Sequence, residues 1–278
     1  MTIRIDAHQH FWNLERIHYP ILSPEVFGEL CRTIEPAELD PLRRKAGFDK
    51  TIVVQAKDGI DESRYLLELA EQHEWIAGVV GWVDLAEPEL AEKQLQELGS
   101  HEKFIGVRHL IMVESDPEWL IRPRVLEGLR ILAEHNLPFE VGAEFPLHLK
   151  HVVTLANEVP KLRMVIDHLA KPPVAANELT EWQEQMREAA SYPEVYAKIS
   201  GLQPEHDLRT IISFALDAFG AERLMFGSDW PLCTFNRSYE DVKEDVENAI
   251  QDWQDDERAQ LFGLTAQRVY RLPGGDRQ

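Results

Sequence analysis

Short apolar runs recur along the chain at intervals that suit a strand followed by a helix. Eight of these runs are rich in valine and isoleucine, as buried parallel strands tend to be. They cover residues 4–8, 51–56, 77–83, 104–110, 138–142, 163–169, 195–200 and 223–228. The pattern predicts eight strands.

Most of the segments between these runs have apolar residues at helical spacing, with charges on the opposite face. They are residues 62–74, 88–98, 124–136, 147–158, 178–191 and 208–219. Strands that alternate with helices form a parallel sheet, and eight uninterrupted units favour closure into a barrel. We therefore predict an α/β fold, a single-domain (β/α)8 TIM barrel over residues 1–278. An open doubly wound sheet is the main alternative, but no Gly-x-Gly-x-x-Gly motif follows the first strand.

The first connection, residues 11–43, is much longer than the others and contains Tyr19-Pro20, Ser23-Pro24 and Glu35-Pro36. Long connections of this kind are typical of functional loops. We expect a loop over the barrel mouth in place of a regular crossover helix. Prolines at 123 and 146 suit helix starts, and residues 273–278 are expected to fray.

The composition excludes several classes of partner. The chain has 29 basic and 49 acidic side chains, a formal charge of −20. An acidic surface repels phosphate and anionic lipid, so we expect neither a nucleic acid nor a membrane as partner. Cys31 and Cys233 are far apart and lack metal-binding spacing, and the N-terminus has no signal-peptide pattern. The expected location is cytoplasmic, and the sequence leaves open whether the protein is an oligomer.

The first predicted strand ends in two histidines. Side chains two apart share a face of a strand, so His8 and His10 project together, with Asp6 on their side and Ala7 opposite. Neighbouring neutral imidazoles can bind a divalent metal ion or polarise a carbonyl group. A single histidine is more often a structural residue, so the pair needs support from other strands.

Two further strands end in groups of the same chemistry. His168 ends the sixth predicted strand and Asp229 the eighth, where Gly227 on the same face would leave room for a ligand. TIM barrels place activity at the C-terminal ends of their strands, so these side chains are expected to meet the histidine pair. Three imidazoles and one carboxylate form a ligand set that holds zinc. Asp229 can instead stay unbound and take a proton from water.

Candidate substrate contacts lie at or just beyond strand ends. They are Gln55, Trp82, Arg108, Lys171 and Lys198. The three cations suit an oxygen-rich or anionic substrate. Their alternative role is internal salt bridges to Asp6, Asp84 or Glu140. One of Arg108 and His109 must face the pocket, and strand alternation does not decide which.

Five motifs are spread over the whole chain. They are Asp-Ala-His-Gln-His-Phe-Trp at 6–12, Gly-Val-Arg-His-Leu at 106–110, Asp-His-Leu-Ala-Lys-Pro at 167–172, Lys-Ile-Ser-Gly-Leu at 198–202 and Met-Phe-Gly-Ser-Asp-Trp-Pro at 225–231. Together they resemble the amidohydrolase superfamily, and more closely its branch of metal-dependent hydrolases that includes sugar-acid lactonases and 2-pyrone-4,6-dicarboxylate lactonases. The resemblance implies a TIM barrel that hydrolyses a small-molecule lactone. It implies that the core of the site is His8, His10, His168 and Asp229.

The chain departs from the two-metal pattern of that superfamily. Its fourth strand has no lysine that could become a bridging carbamate, and its fifth, residues 139–143, has no histidine. The resemblance therefore implies one divalent metal, zinc by its ligands, or a site that works without metal. Arginines suited to grip two carboxylates of a pyrone are not plain in the sequence, which favours a neutral aldonolactone.

The leading hypothesis is a lactonase. Asp229 would activate water, His168 would stabilise the developing oxyanion, and the histidine pair of the first strand would polarise the ring carbonyl. Lys171 and Lys198 are the candidate proton donors to the leaving alkoxide. One alternative is a single-zinc decarboxylase of an aromatic or muconate-type acid. Another is a barrel that binds a ligand without turning it over.

Overall fold

The computed structural model describes residues 2–174 and 179–273. Within these ranges, eight strands form one parallel sheet whose order follows the chain. They are β1 (Ile5–Gln9), β2 (Lys50–Val54), β3 (Ile76–Gly81), β4 (Phe104–His109), β5 (Phe139–Val141), β6 (Met164–Ile166), β7 (Val195–Ile199) and β8 (Leu224–Phe226). The prediction of a single-domain TIM barrel is confirmed.

At least one α-helix follows each strand, and the helices after the first seven strands return the chain to the start of the next strand. In the described ranges the α-helices are α1 (Pro24–Phe27), α2 (Pro36–Lys45), α3 (Ile60–Gln72), α4 (Pro88–Leu98), α5 (Pro123–Glu134), α6 (Lys150–Glu158), α7 (Leu179–Ala190), α8 (Leu208–Phe219), α9 (Tyr239–Ala249), α10 (Asp255–Ala259) and α11 (Thr265–Val269). Of the helices described, none is long and apolar enough to cross a membrane.

The first and last strands meet at their C-terminal ends. A parallel bridge joins Gln9 to Trp230, just beyond β8. The N–H of Asp229 donates to the carbonyl oxygen of His8 at 2.8 Å, and the N–H of His10 donates to that of Trp230 at 2.7 Å. Closure of the barrel therefore brings the end of β8 beside the histidines of β1.

Apolar side chains fill the barrel interior and continue into the C-terminal segment. The cluster contains Ile5, Ala7, Ile52, Val54, Val80, Ile105, Val165 and Met225, together with Ala266, Val269, Tyr270 and Leu272. Arg163, just before β6, donates to the carbonyl oxygen of Val269 at 2.6 Å, so α11 covers the N-terminal ends of the strands. The interior is packed from that side, and the site described below lies at the opposite end.

The first connection differs from the expectation of a loop without a crossover helix. Helix α2 occupies its second half, because Pro36 suits the first turn of a helix and Leu39 is fully buried against the barrel. The earlier part of the connection does extend over the mouth of the barrel, as expected.

The predicted helix starts at Pro123 and Pro146 have different outcomes. Pro123 begins α5 as predicted, whereas the helix expected from Pro146 begins at Lys150. The fraying predicted for 273–278 falls, except for Pro273, outside the described residues, as does the first residue of the helix predicted over 178–191.

Candidate active site

The two histidines of β1 point into the C-terminal mouth of the barrel. Their Nε2 atoms are 3.2 Å apart, and both side chains are buried. Nδ1 of His10 lies 2.8 Å from the carbonyl oxygen of Val54. Because that oxygen only accepts, Nδ1 is the donor, and Nε2 is the ring nitrogen that is left to face His8 and a metal ion. The predicted pairing of the two rings is present.

Asp6 does not join the pair, contrary to the expectation from strand alternation. The register between β1 and β2 shifts after Asp6, as in a β-bulge. Ala7 packs in the barrel interior. Asp6 instead accepts hydrogen bonds from the hydroxyl groups of Ser228 at 2.6 Å and Tyr239 at 2.9 Å. In a regular strand, consecutive side chains such as those of Ala7 and His8 would point to opposite faces. The bulge allows both of them to face the barrel interior.

Asp229 follows β8 and faces the histidine pair. Its Oδ1 lies 3.4 Å from Nε2 of His10 and 3.7 Å from Nε2 of His8. This oxygen is buried and has no hydrogen-bond partner among the described residues. Burial by itself would raise the pKa of Asp229, but at low pH the positive charge on the imidazoles around it, His168 first, holds that pKa well below its usual value. The carboxylate is therefore ionised at neutral pH.

Gly227 makes room for the histidine pair as well as for the cavity. A Cβ at this position would lie 2.5 Å from Cβ of His8 and 3.1 Å from Cβ of Ser200. Any larger residue would push the His8 ring out of place. Gly227 also lines the cavity at the mouth of the barrel, where it was expected to leave space for a ligand. Making room for His8 is a second role that the sequence did not indicate.

His8, His10 and Asp229 can hold a divalent metal ion. Their facing nitrogen and oxygen atoms are 3.2 to 3.7 Å apart. Ligand atoms about 2.0–2.1 Å from a tetrahedral ion are about 3.3 Å from one another, so the spacing fits. The unpaired Oδ1 of Asp229 agrees with this assignment, because a buried acceptor without a partner is costly.

His168 lies beside this group of three ligands. Its ring centroid is 4.6 Å from that of His8. Among the described residues it groups with His8 and Asp167, and not with His10 and Asp229. The structure therefore brings all four predicted residues together, but places only three of them around one point.

The chain presents His168 on an unusual turn. Residues 168–171 all have φ between 49° and 57°, the left-handed region that costs residues with a side chain about 1–2 kcal/mol each. Trp182 supports the turn by donating from Nε1 to the carbonyl oxygen of Leu169 at 2.9 Å. Burial lowers the pKa of His168, so its ring is neutral at pH 7.

A layer of buried charges lies beneath the histidines. Nζ of Lys198 is 2.6 Å from Oε2 of Glu140 and 3.3 Å from Oδ1 of Asp167. Nε of Arg108 is 2.9 Å from the other oxygen of Asp167. Lys198, predicted as a substrate contact, is fully buried and forms the internal salt bridge that was its alternative role. Burial first, and the Lys198 ammonium second, lower the pKa of His8, whose ring is neutral.

Two other predicted substrate contacts turn away from the cavity. Nε2 of Gln55 donates to Asp58 at 2.8 Å, and Nε1 of Trp82 donates to Nδ1 of His109 at 3.1 Å. The His109 ring stacks on Trp119 with centroids 3.8 Å apart. Gln55 and Trp82 therefore support the loops around the mouth and do not line the cavity.

A cavity of about 640 Å³ opens above the buried layer, a size that suits a small molecule. The predicted site residues that line it are His10, Arg108, His168, Lys171 and Asp229. Arg108 rather than His109 faces the cavity, which answers the question that the sequence left open. The ammonium of Lys171 pairs with Glu144 at the rim.

Sequence reasoning missed several other residues of the cavity wall. The polar ones include Ser200, Gln203, His206, Asn236 and Arg237, and the apolar ones include Ile21, Leu22, Phe27, Leu202 and Leu232. Most of them come from the loops after β1, β7 and β8, where strand alternation gives no direction. Ser200 is the exception, because it directly follows β7 and could have been found as a strand-end residue.

Fold and site together define a class of protein. It is a TIM barrel with a His-x-His pair on its first strand and an aspartate after its eighth. These side chains can bind a metal ion beside a small-molecule cavity at the C-terminal mouth.

Comparison with known proteins identifies the family. The amidohydrolase family model matches residues 5–272. The chain is 35% identical to an L-fucono-1,5-lactonase of Burkholderia ambifaria, over 99% of both chains. It is 37% identical to an L-fucono-1,5-lactonase of Burkholderia multivorans, over 98% of this chain and 97% of the relative. A crystal structure of a Burkholderia multivorans amidohydrolase with bound zinc is 35% identical, with a TM-score of 0.85 over 98% of this chain and 100% of the other. The chain belongs to the amidohydrolase family.

Proposed function

We propose that this protein is a lactonase that hydrolyses the internal ester of a sugar-acid lactone. The observation that carries the proposal is the meeting of His8, His10 and Asp229 beside a cavity large enough for one sugar ring. The relatives at 35% and 37% identity are L-fucono-1,5-lactonases, which supports a 1,5-lactone of a sugar acid as the substrate.

The metal in this proposal is zinc, held by His8, His10 and Asp229. Two imidazoles and a carboxylate suit zinc, and zinc is bound in the amidohydrolase of Burkholderia multivorans. When bound, such an ion polarises a carbonyl group and lowers the pKa of water.

Asp229 is the general base. Its carboxylate is ionised and lines the cavity, so the oxygen that does not hold the metal can take a proton from the attacking water. The water oxygen then bonds to the carbonyl carbon of the lactone. Negative charge develops on the carbonyl oxygen, and the neutral ring of His168 donates a hydrogen bond to it.

The ring opens when the bond between the carbonyl carbon and the ring oxygen breaks. The leaving alkoxide takes a proton, and Lys171 is its donor because Lys171 lines the cavity whereas Lys198 is fully buried. The product is an aldonic acid, which ionises and releases a proton to the medium. The reaction is therefore visible with a pH indicator.

A panel of aldonolactones that includes L-fucono-1,5-lactone tests the proposal. We expect the wild type to acidify the medium, and Asp229→Asn to lose about a hundredfold to ten-thousandfold in kcat. Asp217→Asn, on the exposed face of α8, is the matched control. Near-normal turnover by Asp229→Asn would refute the mechanism. Release of CO₂ from aromatic acids without lactone opening would refute the function.

A further inference from the structure

We infer that Ser200 is a positioning residue for His168. Its hydroxyl group donates to Nδ1 of His168 and fixes the ring proton on Nε2, so that His168 acts in the cavity as a hydrogen-bond donor and not as a metal ligand. The direction of this hydrogen bond and the kinetic effect rest on the proposed lactonase function, whereas the contact between the two side chains rests on geometry alone.

The contact between the two side chains is short and shielded. Oγ of Ser200 lies 2.8 Å from Nδ1 of His168, and it is the one hydrogen bond that this ring makes to the described residues. Ser200 is 3% exposed and His168 7% exposed, and both line the cavity. The bond therefore holds the ring at the cavity wall, where little water competes for Nδ1.

The residue after Ser200 closes the same side of the ring. Gly201 has a φ of +58°, and a Cβ placed on it would lie 2.6 Å from Nδ1 of His168. A side chain at position 201 is therefore excluded, both by the left-handed backbone and by the ring. Ser200 and Gly201 together form a close-fitting wall that leaves Nδ1 with the serine hydroxyl as its partner.

The direction of the bond follows from the rest of the site. A serine hydroxyl group can donate or accept a hydrogen bond. Its role here therefore depends on which nitrogen of His168 carries the proton when the ring acts in the cavity. His168 lies outside the group formed by His8, His10 and Asp229. The other carboxylate near it, Asp167, is already paired with Arg108 at 2.9 Å and Lys198 at 3.3 Å.

If Nε2 of His168 carried no proton, it would still add no ligand to the group formed by His8, His10 and Asp229. A protonated Nε2 supplies a donor for the charge that develops on the carbonyl oxygen. That tautomer requires Nδ1 to accept, and the Ser200 hydroxyl is placed to donate to it.

Two substitutions at Ser200 and one elsewhere give the kinetic test. We expect Ser200→Ala to lower kcat about tenfold or more with KM within about twofold, because the ring loses its orientation and not its place in the cavity. Ser200→Thr keeps the hydroxyl group and should restore most of kcat. Ser63→Ala is the matched control, since its buried hydroxyl contacts the backbone of Trp82 and does not line the cavity.

The ring nitrogens of His168 give a readout that needs neither substrate nor metal. In metal-free protein labelled with ¹⁵N-histidine, the His168 signals are assigned by their loss in His168→Gln. We expect Nε2 to be protonated and Nδ1 bare in the wild type and in Ser200→Thr. In Ser200→Ala we expect a mixture of tautomers.

Protonated Nδ1 in the wild type, or unchanged ring signals in Ser200→Ala, would overturn the inference. If the wild type opens no lactone, the proposed function fails, and these spectra still decide the role of Ser200.

Discussion

The ammonium of Lys198 lies 2.6 Å from a carboxylate oxygen of Glu140, and both side chains are fully buried. The other oxygen of Glu140 accepts a hydrogen bond from the hydroxyl of Tyr270 in the C-terminal segment. On its opposite side, Lys198 lies 3.1 Å from Nδ1 of His8. The pair therefore connects the segment that closes one end of the barrel with the histidines at the other.

We expect Lys198→Met to lower the free energy of unfolding by about 3–5 kcal/mol. The substitution leaves Glu140 and Asp167 buried with one cation fewer, and an uncompensated buried charge is strongly destabilising. Urea unfolding followed by tryptophan fluorescence measures the change. Lys150→Met removes an exposed lysine paired with Glu118 and should change the value by less than about 0.5 kcal/mol.

A double variant separates the ion pair from general damage to the core. Once Lys198 is gone, Glu140→Gln removes a charge that has lost its partner. We therefore expect Lys198→Met combined with Glu140→Gln to be at least about 1 kcal/mol more stable than the sum of the single effects. Additive losses would show that the two side chains do not interact in the folded protein.

The barrel could be predicted from the sequence because each unit repeats the same local signal. The strand predicted over 195–200 and the helix predicted over 208–219 match β7 and α8 closely. The prediction of a loop is wrong at helix α2, because Pro36 indicates a loop as well as the first turn of a helix, where the missing N–H of proline is not needed. The wrong prediction therefore concerns a proline, a residue type that is common both in loops and at the start of a helix.

The members of the site were easier to predict than their directions. His8 and Asp229 could be grouped because TIM barrels gather strand ends at one mouth. The direction of Asp6 depends on a bulge in β1, which the spacing of apolar residues does not reveal. Lys198 is withdrawn from the cavity by Glu140, which comes from another strand, and no local pattern indicates such a partner.

Substitution of His10 tests the metal site. We expect His10→Gln to weaken zinc binding to metal-free protein by at least about a hundredfold, because one of three ligands is lost. Loss of a residue that only orients a metal ligand already lowers metal affinity by up to about a hundredfold. Titration calorimetry measures the affinity. His148→Gln is the control, since His148 is also buried but lies outside the ligand group. Equal zinc affinity of His10→Gln and His148→Gln would show that the bound ion does not lie at His8, His10 and Asp229.

Buried Glu62 makes stability depend on pH. It lies in the first turn of α3 and accepts from the N–H groups of Ala56 and Lys57. Burial raises the pKa of its carboxyl group from 4.5 to about 8, and the two N–H groups oppose that rise. The folded protein thus holds this proton more tightly than the unfolded chain. The free energy of unfolding should therefore fall as pH rises between these values, by at most about 1.4 kcal/mol per pH unit.

Glu62→Gln should remove this contribution and leave a flatter dependence. The measurement is the free energy of unfolding of both proteins from about pH 5 to about pH 8, the range that the shifted pKa defines. Glu68→Gln, on the exposed face of the same helix, should follow the wild type. Parallel curves for the wild type and Glu62→Gln would show that Glu62 titrates normally.

Lys171 can be tested as the proton donor by changing the leaving group. In a sugar lactone the ring oxygen leaves as a basic alkoxide, so Lys171→Met should lower kcat by about a hundredfold. In a lactone of a phenol the leaving oxygen is far less basic, so the loss should nearly vanish. Lys150→Met again serves as the control, because Lys150 is exposed and paired with a glutamate but lies outside the cavity. An equal loss with both substrates would mean that Lys171 binds the ring and does not protonate it.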